Sequence, residues 1–252
     1  TMIWSIDDQF AYEFLKKEKI KFLKEINAHF GETFENLDFS TEIQHFPLNH
    51  LSSKTFAKDG IFLVGDAAHQ MPPFMGAGMG AGIRDVANLA WKIHLLFQNK
   101  ASHTILNTYM HERFNHAKWT IAQTISIGEI IEGFCAAAEG KEFNPKSRGY
   151  AAKFPHISEG IYKNSNNGIN GYPIPQPSIQ QHQTAIKLDK VIESSFTLIF
   201  KSSKFSLSQK AQAIVDLLNI KFLELSKEDD PEKRLNKIFD NFEYILVRPD
   251  LY

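Results

Sequence analysis

The residues whose types and spacing best suit chemistry lie in one window, from Gly65 to Asp85. Its first acid, Asp66, follows the apolar run 61–64 after one glycine, and this run is typical of a buried strand. A carboxylate at the carboxyl end of a strand lies where open α/β sheets bind ligands, and it accepts hydrogen bonds from ligand hydroxyls. We therefore expect Asp66 to contact a ribose or another polyol chain.

Alternating glycines follow this acid, after the pair Pro72-Pro73. These glycines are Gly76, Gly78, Gly80 and Gly82. Glycine adopts positive φ and lets the backbone approach another molecule closely, while the prolines forbid continued helix or central strand. Apolar residues then recur at three- and four-residue spacing, which predicts a helix from the last glycines to about Asn99. Its N-terminus would favour an anionic group, so the expected ligand has a hydroxylated chain and an anionic end.

Other ligand motifs fit this window less well. Residues 76–81 satisfy the loose pattern G-x-G-x-x-A, but they follow Pro72-Pro73-Phe74 and not the strand that a dinucleotide fingerprint requires. No Gly-Lys-Ser or Gly-Lys-Thr occurs, which excludes a P-loop. His111 and His116 are five residues apart and do not share a helical face, so we expect no metal site.

The elements that must position this window can also be predicted from periodicity. They are a helix over 9–30 ended by Gly31, a short strand over 43–51, a helix from the cap Ser102 to just before Gly140, a strand over 196–200, a helix over 211–218 and a strand over 242–247. The last three suggest a small α/β module. Residues 140–183, dense in turn formers and proline, predict a connecting segment.

The composition is that of an ordinary globular protein and excludes several classes. Of 252 residues, 43% are hydrophobic and 23% are charged, and 28 Lys and Arg nearly cancel 29 Asp and Glu. No basic field is left to attract nucleic acid or an anionic membrane. The single Cys135 cannot form an internal disulfide, and no basic leader or long apolar span is present. We expect a cytoplasmic protein that binds neither nucleic acid nor membrane.

Taken together, these motifs resemble the second flavin motif of the class A FAD-dependent aromatic monooxygenases, in particular the 3-(3-hydroxyphenyl)propionate and phenol hydroxylase branch. The resemblance rests on Gly65-Asp66-Ala67-Ala68-His69, Pro72-Pro73, the glycine turn, Arg84-Asp85 and Asn88-Leu89-Ala90-Trp91-Lys92. Further segments at family-like spacing are Tyr109 with Glu112-Arg113, Pro175-Gln176-Pro177 ahead of Leu188-Asp189, and Leu246-Val247-Arg248-Pro249-Asp250.

This resemblance implies an α/β (α+β) fold: the carboxyl-terminal part of a p-hydroxybenzoate hydroxylase-like FAD-binding domain, followed by a small thioredoxin-like module without a Cys-x-x-Cys pair. The implied domains are the tail of a substrate-binding region over 1–45, the FAD-binding part over 46–139, a connector over 140–185 and the module over 186–252. Because the family places its ADP-binding fingerprint further towards the amino terminus, the resemblance also implies half of an enzyme, inactive as an isolated chain.

The implied chemistry is hydroxylation of a phenolic ring. In the family, NAD(P)H reduces FAD, and the reduced flavin captures O2 as a C4a-hydroperoxide that transfers oxygen to the ring. Carried over, Asp66 would hold the ribityl chain, and Pro73 would take the catalytic position between flavin and substrate. The backbone of Gly78 and Met79 would bind the N1/C2 edge of the flavin. Gly76 and Gly80 would also contact FAD, but without the polar side chains that relatives often have nearby. Phe74, Met75 and His50 would line the substrate side.

Several of these residues also have plainer interpretations. Asp66 could be a turn former, and His69 is expected to be a structural histidine with its hydrogen bonds satisfied. Arg84 and Asp85 are either an exposed charge pair on a helix or contacts to the pocket. Phe74 and Met75 either pack under the turn or face an aromatic substrate. The resemblance leaves a homodimer open, and the alternative to an enzyme is a non-catalytic remnant that keeps the fold as a scaffold.

Overall fold

The computed structural model of this chain describes residues 19–31, 46–144, 156–157, 159–162, 170–181, 184–201, 206–226 and 228–252. Residues 1–49 and residues 50–252 form two separate compact units. Helix α1, Lys19–Phe30, belongs to the first unit and ends at Gly31, which has a φ of +66°. This confirms the predicted helix end, while residues 9–18 of that prediction lie outside the described residues.

Two short antiparallel strand pairs begin the second unit. Strand β1 (Leu51–Ser52) pairs with β4 (His69–Gln70), and β2 (Ala57–Lys58) pairs with β3 (Ile61–Phe62), both antiparallel. The strand predicted over 43–51 is wrong for residues 46–50, which are exposed and irregular around Pro47.

The buried strand predicted over 61–64 is also wrong, because only Ile61–Phe62 is a strand and Ile61 is 68% exposed. The preceding Asp59-Gly60 explains the difference. Both residues have positive φ, 49° and 80°, as in the tight turn that Asp-Gly favours, so the chain folds back into a hairpin.

The glycine window leads into the long helix α2, Ala77–Phe97. The helix begins before the predicted start, so Gly78, Gly80 and Gly82 lie inside it. In this glycine series only Gly76, the residue before the helix, adopts a left-handed conformation, with a φ of 58° and a ψ of 22°. The expected positive φ is therefore wrong for Gly78, Gly80 and Gly82, whereas the expected close approach is found at Gly82, where a Cβ would lie 3.1 Å from the Cα of Gly65.

A second long helix packs against α2. After a 3₁₀ segment, His103–Asn107, helix α3 runs over Thr108–Ala138, as predicted to end before Gly140. The core between these helices and the hairpins consists of Phe56, Ala68, Leu89, Tyr109 and Ala117. The stretch His103–Ala138 has the length and apolarity of a membrane-spanning helix, at a hydropathy of 1.2 in its most apolar window. Its first half, however, carries charged residues that are buried inside the protein.

The carboxyl-terminal residues form the expected small α/β module. The strands of its sheet are β7 (Thr197–Phe200), β8 (Lys221–Glu224) and β9 (Tyr244–Val247), in the order β8-β7-β9, with β7 parallel to β8 and antiparallel to β9. The other elements are β5 (Ser178–Gln181), β6 (Thr184–Lys187), α4 (Leu188–Ile192), α5 (Gln209–Leu218) and α6 (Asn236–Phe239). The hairpin β5-β6 begins within the stretch predicted as a connector. The α/β class is confirmed.

Candidate functional site

Asp66 lies in a 3₁₀ turn, Gly65–Ala67, that contacts helix α2. The turn is closed by the amide of Ala68, which donates to the carbonyl of Gly65 at 2.8 Å, and Gly65 has a φ of 56° that suits glycine. The backbones of turn and helix touch, since a Cβ on Gly82 would lie 3.1 Å from the Cα of Gly65. The exposed side chain of Asp66 therefore sits on a turn held directly against α2.

The predicted cofactor-binding residues of the glycine window are grouped at the N-terminus of α2. Pro73 is exposed at the start of a 3₁₀ turn, Pro73–Met75, and the amide of Gly76 donates to its carbonyl at 2.8 Å. No side chain caps α2, and no acid lies in its first turn. The amides at the start of α2, including those of Gly78 and Met79, are left with no intrahelical acceptor and form a positive helix end.

The three residues predicted to line the substrate have different environments. The ring of Phe74 lies on helix α3, because a Cβ on Gly128 would be 2.6 Å from its Cε2 atom. Phe74 is half-buried there, which favours the interpretation that it packs under the turn. Met75 is half-buried, and His50 is exposed directly before β1.

Asp85 is fully buried and connects the turn to both long helices. Its Oδ2 accepts the amide of Gly65 at 3.1 Å and lies 2.7 Å from Nε2 of His69. Its Oδ1 accepts from Nε of Arg113 on α3 at 2.9 Å. The interpretation of Asp85 as half of an exposed charge pair is therefore wrong. The hydrogen bond to Asp85 agrees with a structural role for His69, which is 2% exposed. The expectation that its hydrogen bonds are satisfied is wrong for the buried Nδ1, which has no hydrogen-bond partner among the described residues.

Asp85 is held in its ionised form. Burial by itself would raise its pKa, but the hydrogen bond from His69 and the positive charge of Arg113 outweigh burial and lower the pKa below its ordinary value. An ionised carboxylate accepts the amide of Gly65 as a charge-assisted hydrogen bond, which is stronger than a neutral one.

A second buried network surrounds Glu112 on α3. Its carboxylate accepts from Nζ of Lys92 at 2.9 Å and from Nδ2 of Asn88 at 2.6 Å. The guanidinium of Arg248 donates to both oxygens, at 3.0 and 2.8 Å, and the amide of Ile161 donates at 2.7 Å. The carboxyl-terminal residues are therefore fixed to the two long helices through Glu112.

The charges of this network balance. Arg248 also donates to Asp250, at 2.9 and 2.6 Å, so two carboxylates face two cations. Burial would raise the pKa of Glu112, but Arg248 and Lys92 lower it to about 2. Burial lowers the pKa of Lys92 to about 8 despite the opposing charge of Glu112. For Arg248 the hydrogen bonds and charges of Asp250 and Glu112 outweigh burial and raise the pKa.

The sequence contains a signal for these networks, polar residues on the apolar face of a helix, that the prediction from apolar spacing did not use. Asp85, Asn88 and Lys92 lie at positions i, i+3 and i+7, on the same face of α2 as the buried Leu89 and Leu95. Polar side chains at core positions of a helix indicate buried partners elsewhere in the chain. Within the described residues, no group of three or more His, Cys, Asp or Glu side chains is arranged to hold a metal ion.

Comparison with known proteins shows what this chain is similar to. An FAD-binding domain family matches residues 9–124. The 3-(3-hydroxy-phenyl)propionate/3-hydroxycinnamic acid hydroxylase of Escherichia coli is 43% identical over 79 residues, which are 31% of this chain and 14% of that protein. The resemblance to the class A flavin-dependent monooxygenases is confirmed. The match does not by itself carry over the activity of the whole relative, because it covers a small share of that enzyme.

Solved flavin monooxygenases have the same fold. Aklavinone-11 hydroxylase, in complex with FAD and aklavinone, superposes with a TM-score of 0.70 over 98% of this chain at 20% identity. The flavin-dependent monooxygenase PieE, in complex with FAD and substrate, gives a TM-score of 0.71 over 99% at 16% identity. The chain spans about half of each, 49% and 52%. The p-hydroxybenzoate hydroxylase-like fold is thereby confirmed.

Proposed function

We propose that this chain supplies the ribityl and isoalloxazine contacts of an FAD- and NAD(P)H-dependent hydroxylase of phenolic compounds. The observation that carries the proposal is the arrangement of Asp66 and the uncapped N-terminus of α2, held together by the contact between Gly65 and Gly82. The family match and the identity to a hydroxylase of 3-hydroxyphenylpropionate support the same conclusion.

The residues present fit the flavin. Asp66 is exposed and offers acceptors to the hydroxyls of the ribityl chain, while the amides of Gly78 and Met79 offer donors to the N1/C2 edge. Pro73 and Gly76, which precede these amides in the chain, are exposed, and neither carries a polar side chain. When bound, FAD supplies the redox and oxygen-transfer chemistry. The protein binds it and stabilises negative charge at that edge by roughly 0.3 to 2 kcal/mol.

The finer parts of the proposal concern the reaction partners. The substrate is a phenolic small molecule, approached from the side of Pro73, Met75 and His50, with NAD(P)H as reductant and O2 as oxidant. We further propose a cytoplasmic location, no nucleic-acid or membrane partner, and domain boundaries near residues 45, 139 and 185.

Binding of FAD is the first test. Titration of the chain with FAD, followed by flavin fluorescence and absorbance, should show saturable binding. Asp66→Asn removes the charge that receives the ribityl hydroxyls, so we expect an affinity about tenfold or more lower, the value of a lost hydrogen bond to a charged group. Asp59→Asn is the control, because Asp59 is also exposed and asparagine tolerates its φ of 49°. Equal affinities of the two variants would refute the role of Asp66.

Turnover separates the enzyme from the non-catalytic alternative. Because the resemblance implies that this chain by itself is inactive, NAD(P)H oxidation and hydroxylated product should be measured in a protein that joins the chain to the ADP-binding part of an FAD-binding domain, with 3-hydroxyphenylpropionate, phenol and related compounds. FAD binding with substrate-stimulated oxidation and product supports the hydroxylase. FAD binding without any oxidation across the panel supports a scaffold of the same fold, and absence of FAD binding refutes the proposed function.

A further inference from the structure

Asp85 holds the Asp66 turn at two points. One oxygen, Oδ2, lies 3.1 Å from the amide nitrogen of Gly65 and 2.7 Å from Nε2 of His69. Asp66 lies between these two partners in the chain, and its own side chain is exposed. The path of the turn around Asp66 is therefore set by a carboxylate of helix α2, nineteen residues further along the chain.

The third partner fixes the position of that carboxylate. Nε of Arg113 donates to Oδ1 at 2.9 Å, and both side chains are at most 1% exposed. Arg113 belongs to α3, so a shift of Asp85 together with α2 would break an ion pair to the second long helix. Removal of one partner of such a buried ion pair strongly destabilises the folded protein.

We propose that Asp85 is the positioning residue of the flavin-contact turn, fixing the place of Asp66 relative to the N-terminus of α2. The proposal rests on the proposed function, because it assigns Asp85 to the geometry of that site. Asp85 itself is fully buried and acts through Gly65 and His69. It binds the backbone of the turn, so its effect on Asp66 does not depend on a contact with FAD.

Glu112 provides a comparison that separates a positioning role of Asp85 from a purely stabilising one. Glu112 is as deeply buried as Asp85 and also accepts from Arg and other donors, but its partners Asn88, Lys92, Ile161 and Arg248 do not include a residue of the turn. Loss of the Glu112 charge should destabilise the fold and leave the flavin-contact turn in place. Loss of the Asp85 charge should affect both.

The experiment compares Asp85→Asn with Glu112→Gln in the complete chain. Both variants are isosteric and remove one buried negative charge. Two quantities are measured under conditions where each protein is folded: hydrogen exchange of the segment 63–70 without flavin, and the dissociation constant for FAD. We expect Asp85→Asn to speed exchange in 63–70, because the turn loses a charged acceptor. FAD binding should weaken towards the loss expected for Asp66→Asn, about tenfold, because Asp66 is no longer held in place. Glu112→Gln should leave both unchanged.

Each other outcome has a defined meaning. Faster exchange with unchanged FAD affinity, or an equal loss of affinity in Glu112→Gln, overturns the positioning role. If the unsubstituted chain does not bind FAD, the proposed function fails, and unchanged exchange in Asp85→Asn would then show that Asp85 does not hold the turn either. If Asp85→Asn does not fold, His69→Phe replaces it, since this change removes one contact of Asp85 and keeps the ring that packs on Phe56.

Discussion

Replacement of Glu112 by glutamine tests whether the buried network holds the carboxyl-terminal residues to the long helices. Glutamine keeps the shape but leaves Lys92 and Arg248 facing only Asp250. Lowering a carboxyl pKa from 4.5 to about 2 corresponds to about 3 kcal/mol of stability at neutral pH. Breaking a buried ion pair from one side costs about 3 to 5 kcal/mol, which is of the same order. We expect Glu112→Gln to lower the free energy of unfolding by about 3 kcal/mol.

The stability contributed by Glu112 depends on pH, in the direction set by its lowered pKa. The folded-state pKa of Glu112 is below its unfolded value, so its contribution is present above about pH 4.5 and is lost as the pH falls towards 2. Urea unfolding at pH 7 and at pH 3 should therefore show a smaller difference between variant and unsubstituted protein at the lower pH. Glu159→Gln is the control, because its pair with His111 is exposed and should be worth under about 1 kcal/mol. A loss below about 1 kcal/mol for Glu112→Gln at pH 7 would refute the reasoning.

Two further substitutions test the turn and its support. Gly65→Ala should lower the free energy of unfolding by about 1 to 2 kcal/mol, because an L-residue is strained at a φ of 56°. The added Cβ would make only an ordinary contact at 3.7 Å, so strain is the main term. Thermal unfolding measures this loss, and an unchanged midpoint would contradict it. Tyr109→Phe should lower the free energy of unfolding by about 1 to 3 kcal/mol, because the buried hydroxyl donates to the carbonyl of Leu63 at 2.7 Å and phenylalanine would leave that carbonyl unpaired. A variant as stable as the unsubstituted chain would show that water replaces the hydroxyl.

Periodicity predicted the long helices better than the short strands. Helices α2 and α3 repeat their apolar residues over many turns, and burial of such a stripe determines the element. The run 61–64 is only four residues long, so its apolar content could not distinguish a buried strand from one arm of a hairpin. Asp59-Gly60 decided between them through its preference for positive φ, a local signal that outweighed the hydrophobicity of the run.

The sequence predicts the parts of the site that depend on local turns and helix ends. It does not predict the parts that depend on contacts between distant residues. Gly65, Asp66 and the start of α2 follow from turn and helix-end chemistry in one contiguous segment. The partners of Asp85 and Glu112 come from residues up to 136 positions away, as for Glu112 and Arg248. One sequence shows that these side chains occupy core positions of their helices, but the pairing of each donor with its acceptor depends on how the helices pack.

The position of Asp85 on α2 has a consequence for the flavin-contact site. Backbone amides at a helix N-terminus can meet a ligand only if the helix has the correct rotation and axial position, and apolar packing alone tolerates small shifts of both. Asp85 and Lys92 lie about two turns apart on α2 and bond to adjacent residues of α3, Arg113 and Glu112. The bond of Asp85 is nearer the glycine amides and restricts the rotation and axial position of this end of α2, whereas the bond of Lys92 holds the helix further from the site. Since Asp85 and Arg113 carry opposite charges, their bond restricts this geometry without leaving an uncompensated charge in the core.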